Sequence, residues 1–123
     1  MIVGIGIDAV EVTRLEKWAA DQKILERFFD PREIAVLRER GRGMVRSLAA
    51  RFAAKEAFGK ALGTGLGGLA LKDIMVANRA NERPVLALQG SALLAMQARG
   101  AAAAHVSLTH EGNMAIAMVV LEA

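Results

Sequence analysis

The stretch from Met44 to Leu62 constrains the fold more than any other. It contains no proline, is rich in alanine, and is bracketed by Gly43 and Gly63. That pattern predicts a helix over 44–62 closed at Gly63. At about 100° per residue, Val45, Leu48, Ala49 and Phe52 form an apolar stripe. One turn further, the stripe lands on Glu56, with Gly59 beside it in the arc. Lys60 stands near one edge and Lys55 flanks the other. A carboxylate on a buried stripe demands a partner, a proton or a metal ion. The plainer reading is a surface Glu56–Lys60 pair at i,i+4, worth a few tenths of a kcal/mol.

Residues 2–10 form a short Val- and Ile-containing run that reads as a strand. With a period of two, Val3, Ile5, Ile7 and Ala9 share one face. Gly4, Gly6 and Asp8 lie on the other, together with Ile2 and Val10. Asp8 therefore sits on a face stripped of bulk, where something else can approach the backbone and where cover is needed.

Thr13 with Glu16 makes a capping-box pattern, and residues 14–28 read helical with a break near Asp21. Asp30-Pro31-Arg32-Glu33 is a second helix start, for a segment running to about Arg40. Gly63 to Gly68 reads as a loop. Residues 71–78 and 84–89 read as strands around a turn at 81–84. Residues 91–99 read as a helix ended by Gly100. His105–His110 and Met114–Leu121 read as a hairpin across 111–113. The order is βαααββαββ, with helices early and antiparallel strands late. It predicts an α+β fold in a single domain over 1–123.

Composition narrows the class. Apolar residues make up 54% and charged residues 24%, which argues against disorder. Aromatic residues are only 4%, so the core must come from Ala, Leu, Ile, Val and Met. The absence of cysteine excludes disulfides, thiolate metal sites and a cysteine nucleophile. It suits a reducing compartment, and with no signal-peptide pattern and no long apolar run the expectation is a cytoplasmic protein without membrane contact. Residues 1–31 carry four bases and six acids, residues 32–60 eight and three, and residues 61–123 four of each. The surplus of +5 in the middle third would attract a polyphosphate, a nucleic acid or an acidic protein, or else mark a solvated face.

Three fragments of known motifs fail. Gly4-Ile5-Gly6 lacks the third glycine of a dinucleotide fingerprint, since position 9 is Ala. Gly59-Lys60-Ala61 lacks the earlier glycine and the hydroxyl of a P-loop. Ser107 and His110 lack a nucleophile elbow. What remains is Asp8 and Glu56 as hard oxygen donors, which suit Mg²⁺ when substrate phosphates complete its shell. Arg51, Lys55 and Lys60 would suit those phosphates. His105, Ser107 and Thr109 share one face of their strand, and His110 ends it beside the turn.

Gly4-Ile-Gly6-Ile-Asp8 with Arg14, the block Arg51-Phe-Ala-Ala-Lys55-Glu56-Ala-Phe58 through Lys60 to Gly65, and Ser107-Leu-Thr-His110 resemble the holo-[acyl-carrier-protein] synthases, the short bacterial 4'-phosphopantetheinyl transferases. The resemblance covers essentially the whole chain. One departure is Met75, where the family typically has Glu after Asp-Ile. The resemblance implies the phosphopantetheinyl transferase fold and a place in fatty acid biosynthesis. It implies transfer of 4'-phosphopantetheine from coenzyme A to a serine of apo acyl carrier protein, with release of adenosine 3',5'-bisphosphate. It implies that Asp8 and Glu56 bind Mg²⁺ and that Lys60 neutralises phosphate charge. Arg51 and His110 would hold the nucleotide phosphate, His110 from a neighbouring subunit. Ser107 and Gly65 join the coenzyme A contacts. Glu56 is the candidate base or positions one. The family resemblance and the glycine-bare strand face both point to a homotrimer with sites between subunits.

Arg14 and Lys17, with Lys23 further on, would meet the acidic carrier protein. Trp18 beside them is either an apolar anchor or a core residue. The competing class is a basic module that binds nucleic acid without chemistry. Its stacking platform would display aromatic residues, and the predicted strands have none. No nucleic-acid partner is expected.

Overall fold

The computed structural model describes residues 1–81 and 83–123, so the turn expected at 81–84 lies partly outside the described residues. Strand β1 spans Ile2–Glu11 and leads through a 3-10 turn, Val12–Leu15, into the short helix α1, Glu16–Ala19. Helices α2 (Gln22–Phe28), α3 (Pro31–Glu39) and α4 (Met44–Leu62) follow. Strands β2 (Ile74–Asn78) and β3 (Pro84–Leu88), helix α5 (Gly90–Ala98), and strands β4 (Ala103–Glu111) and β5 (Met114–Glu122) complete the order. The fold is α+β, as expected, with all strand pairs antiparallel.

β1, β5 and β4 form one sheet in that order, and β2 pairs with β3 in another. The inner face of the three-stranded sheet packs on α4. Ala115, Ala117, Val119 and Leu121 of β5 are fully buried there. Phe58, Leu48, Leu25 and Phe29 lie in the same core with no exposed surface, each contributing about 1.5–3 kcal/mol relative to exposure.

The boundaries of α4 match the expectation, and Gly63 ends it in the left-handed region at φ 83°. Its faces do not match. Rather than one apolar stripe, α4 is buried on nearly every side, with Ala49, Ala50, Ala53, Ala54, Ala57 and Ala61 letting neighbours approach closely. Its half-exposed line is Val45, Phe52 and Glu56, continuing to exposed Lys60. Glu56 therefore lies on the open side of the helix, not under it.

The glycine-bare face of β1 is covered by α4 of the same chain. A Cβ added at Gly4 would lie 2.1 Å from the Ala61 carbonyl oxygen, and one at Gly6 2.1 Å from that of Ala57. The face left open is the other one, where Ile5 and Ile7 are 62% and 60% exposed. The cover inferred for the glycines is thus already present, and the face left for a second copy is the opposite one.

Asp30 caps α3 in a capping box with Glu33, as expected. Thr13 does not cap. Leu15 stands at the cap position before α1 and makes no side-chain cap hydrogen bond. Thr13 instead pairs with Asn113: its amide donates to Asn113 Oδ1 at 3.3 Å, and Asn113 Nδ2 donates to Thr13 Oγ1 at 3.0 Å. A tertiary partner has taken the hydroxyl that the local pattern assigned to a helix start. Asp21 caps α2, the break foreseen near that residue.

Candidate functional site

The close approach of β1 to α4 places a strand carboxylate beside a helix carboxylate. Asp8 faces inward on β1, paired across the sheet with buried Ala117. Lys60 donates from Nζ to Asp8 Oδ1 and to the Ile7 carbonyl, both at 3.0 Å. Glu56 precedes Lys60 by one helical turn. Burial, and next the negative charge of Asp8, push its carboxyl above the usual carboxylate range, while Lys60 pulls the other way. Two like charges so placed favour a cation between them.

Among the described residues no group of three His, Cys, Asp or Glu side chains could enclose a metal ion. The donor set fits Mg²⁺ all the same. That ion is commonly held by one or two carboxylates and completes its shell with water and substrate phosphates. Gly65 lies in the loop after α4, its amide bonded to the Gly59 carbonyl at 3.0 Å, and so adjoins the turn that carries Lys60.

A second group lies elsewhere on the sheet. Arg40, Arg46, Arg51 and His110 line a cleft of about 430 Å³ with Ser47, Asn78 and Leu108, and among the described residues no carboxylate lines it. Arg51 is only 4% exposed. It donates to Ser47 Oγ at 2.6 Å and to Asn78 Oδ1 at 3.3 Å, and its buried Nε has no hydrogen-bond partner among the described residues. Burial lowers the Arg51 pKa, Glu33 partly offsets this, and neighbouring Arg40 adds to it. One buried arginine with two exposed arginines beside it is suited to an anion. His110 Nε2 lies 3.2 Å from the Arg46 carbonyl.

The two groups sit on opposite edges of the sheet. Asp8 is on β1 and His110 on β4, with β5 between them. Two strand spacings separate these edges, roughly 10 Å. Arg51 and His110 therefore meet within one chain, while Asp8, Glu56 and Lys60 stand apart from them.

Ser107 joins neither group. It pairs with Met118 and stands exposed on the outer sheet face, opposite to the face of Asp8 and His110. Lys55 is no phosphate ligand either. It is fully buried and donates to Glu33 Oε1 at 2.8 Å and to the carbonyls of Leu71 and Ile74 at 2.8 and 2.7 Å. Glu33 Oε2 accepts from the Val76 amide at 3.1 Å. With every donor used, Lys55 ties α3, α4 and β2 together. Helical spacing put Lys55 at an edge of the stripe, but the partner that buries it comes from another helix.

Arg14 and Lys17 are both exposed, Arg14 in the 3-10 turn and Lys17 in α1. The helix expected over 14–28 is divided, yet the spacing of three still keeps the two on one side. Lys23 is exposed at the start of α2. Trp18 is half-buried, stacked on Phe28 at 5.2 Å and edge-on to Phe52 at 5.1 Å. Sequence reasoning did not single out Arg40 and Arg46, although the basic surplus of residues 32–60 pointed to their segment.

Comparison with known proteins follows the same lines. Residues 4–119 match the 4'-phosphopantetheinyl transferase superfamily. The chain is 57% identical over 122 residues to a holo-[acyl-carrier-protein] synthase of Treponema denticola, covering 99% of each chain. It superposes on a Neisseria meningitidis holo-[acyl-carrier-protein] synthase with a TM-score of 0.90 at 32% identity, covering 100% of both. A Bacillus anthracis holo-(acyl-carrier-protein) synthase in complex with CoA (3',5'-ADP) gives 0.82 at 38% identity, covering 99% of this chain and 97% of that one.

Proposed function

This chain belongs to the 4'-phosphopantetheinyl transferase superfamily and is a transferase of the holo-[acyl-carrier-protein] synthase family, and from that premise we propose that it moves 4'-phosphopantetheine from coenzyme A to a serine of apo acyl carrier protein, with Mg²⁺ bound and adenosine 3',5'-bisphosphate released. The observation that carries this reading is the Asp8–Glu56–Lys60 cluster at the sheet edge. The serine oxygen bonds to the phosphorus that bears the pantetheine arm. The anhydride bond to the nucleotide phosphate breaks, and its electron pair leaves with that phosphate. Such a transfer needs charge neutralisation and alignment more than covalent help.

Asp8 and Glu56 would hold Mg²⁺, which when bound neutralises the pyrophosphate oxygens. Lys60 neutralises further phosphate charge, and the Gly65 loop flanks it. Arg51 and His110 hold the nucleotide phosphate in the cationic cleft. Glu56 takes the serine proton or positions the group that does. Arg14 and Lys17 meet the acidic carrier protein.

The separation of the two groups supports an assembly in which one copy supplies Asp8, Glu56 and Lys60 and the next supplies Arg51 and His110. A head-to-tail contact of that kind closes into a ring, and three copies are proposed. Ser107, on the outer face, keeps its proposed role only across such a contact. Among the described residues no helix is long and apolar enough to cross a membrane. The absence of cysteine suits the proposed cytoplasmic setting in fatty acid biosynthesis.

The test incubates the protein with coenzyme A and an apo carrier protein, with Mg²⁺ or with a chelator. Mass spectrometry should show one phosphopantetheine added to the carrier serine only when Mg²⁺ is present. An unmodified carrier protein under both conditions would overturn the proposal.

A further inference from the structure

The ammonium of Lys60 is seated where a cation would be useful. It lies 3.0 Å from Asp8 Oδ1 and 3.0 Å from the Ile7 carbonyl, which belongs to an edge strand. Gly6 allows this placement, because a Cβ there would come within 3.0 Å of Lys60 Cβ. The side chains differ in freedom: that of Lys60 is 53% exposed and that of Asp8 16%. The ammonium can swing into water at little cost, while the carboxylate stays on its strand. Glu56, one turn back on α4, adds a second negative charge near enough for Asp8 and Lys60 both to act on it.

We infer that Lys60 is an internal stand-in for the metal ion: its ammonium and a divalent cation compete for the same oxygen of Asp8. The inference rests on the metal-site reading proposed above. While Lys60 is docked, it halves the negative charge of the carboxylate pair and keeps Asp8 oriented. It therefore weakens metal binding to the nucleotide-free protein. An incoming pyrophosphate offers Lys60 a stronger partner than one carboxylate oxygen. When Lys60 moves to it, Asp8 Oδ1 is released to the metal. Metal ion and nucleotide then promote each other's binding, and by linkage the effect is reciprocal.

The test measures Mn²⁺ binding by electron paramagnetic resonance on the nucleotide-free protein, for wild type, Lys60→Met, Lys60→Arg and Asp8→Asn. Melting curves confirm that each variant is folded. Lys60→Met, which keeps the stem and loses the charge, should bind Mn²⁺ roughly fivefold to tenfold tighter, as expected for removing one unit charge near the site. Lys60→Arg, which keeps the charge, should stay within about twofold of wild type on the same reasoning. Adding coenzyme A should tighten Mn²⁺ binding less in Lys60→Met than in wild type. Unchanged or weaker Mn²⁺ binding in Lys60→Met, with binding lost in Asp8→Asn, would overturn the role of Lys60 and leave the metal site standing. Unaltered binding in Asp8→Asn would overturn the metal-site reading and this inference with it.

Discussion

Asp8 and Glu56 come from a strand and a helix whose backbones nearly touch. Neither side chain is needed for that approach, because Gly4, Gly6 and the alanines of α4 make it. Asp8→Ala and Glu56→Ala should therefore each lower transfer by a hundredfold or more, roughly the loss expected for removing one strong electrostatic contribution. Both should melt close to wild type. Full activity with normal metal dependence in either variant would remove the carboxylate from the site. Lys55 is the contrasting case. Replacing it with Met leaves Glu33 charged and unpaired in the core, which should cost about 3–5 kcal/mol in a urea titration. Adjacent residues of α4 thus separate cleanly, one acting on the chemistry and the other on stability.

At the level of elements, Asp30 holds the start of α3. The Arg32 side chain bonded to it holds its carboxyl down from 3.8 to about 2. A carboxylate depressed in the folded state contributes stability that is present above its unfolded value and is lost as the pH falls through its folded one. Asp30→Ala should cost about 1 kcal/mol at neutral pH as a lost cap. Its deficit relative to wild type should shrink between pH 3.8 and about 2, as seen in acid titrations of the two proteins. The 3-10 turn and α1 present Arg14 and Lys17 outward. Arg14→Glu should raise KM for the carrier protein about tenfold, a loss of ~1.4 kcal/mol, and leave KM for coenzyme A in place. A rise confined to coenzyme A would mean that the two surfaces had been exchanged.

The elements differ in how far local residues announce them. Asp30-Pro31 and Gly63 mark helix ends because capping is decided within one turn of chain. Thr13 misleads because its partner, Asn113, is 100 residues away. The two faces of β1 follow from alternation, but which face α4 would cover does not. Asp8 and Glu56 stand out as unusual carboxylates, whereas the cationic cleft needs the tertiary path that brings β4 beside α4.

For the whole molecule, the outer sheet face is the open question of packing. Ile5, Ile7 and Met118 are 62%, 60% and 40% exposed, side by side across β1 and β5. Burying such a patch between copies would add apolar area to the contact that completes the proposed site. Light scattering at micromolar concentration should give the mass of three chains. Ile7→Asp should shift that mass downward and reduce transfer in parallel. A monomeric mass in a fully active sample would sink the ring.

β1 finds its ladder partner at the far end of the chain, with Ile2 opposite Glu122 and Asp8 opposite Ala117. During synthesis, the strand that carries Asp8 emerges first and must wait for the last strand before it can pair. α4 can form in that interval but has no finished sheet to rest on. The closing step is thus a long-range one, and refolding should be slow for a chain of this size, on the order of milliseconds to seconds. The carboxylate pair would gain its sheet support only at that last step, so a nascent chain lacking β5 would carry both acids on elements with no finished sheet behind them.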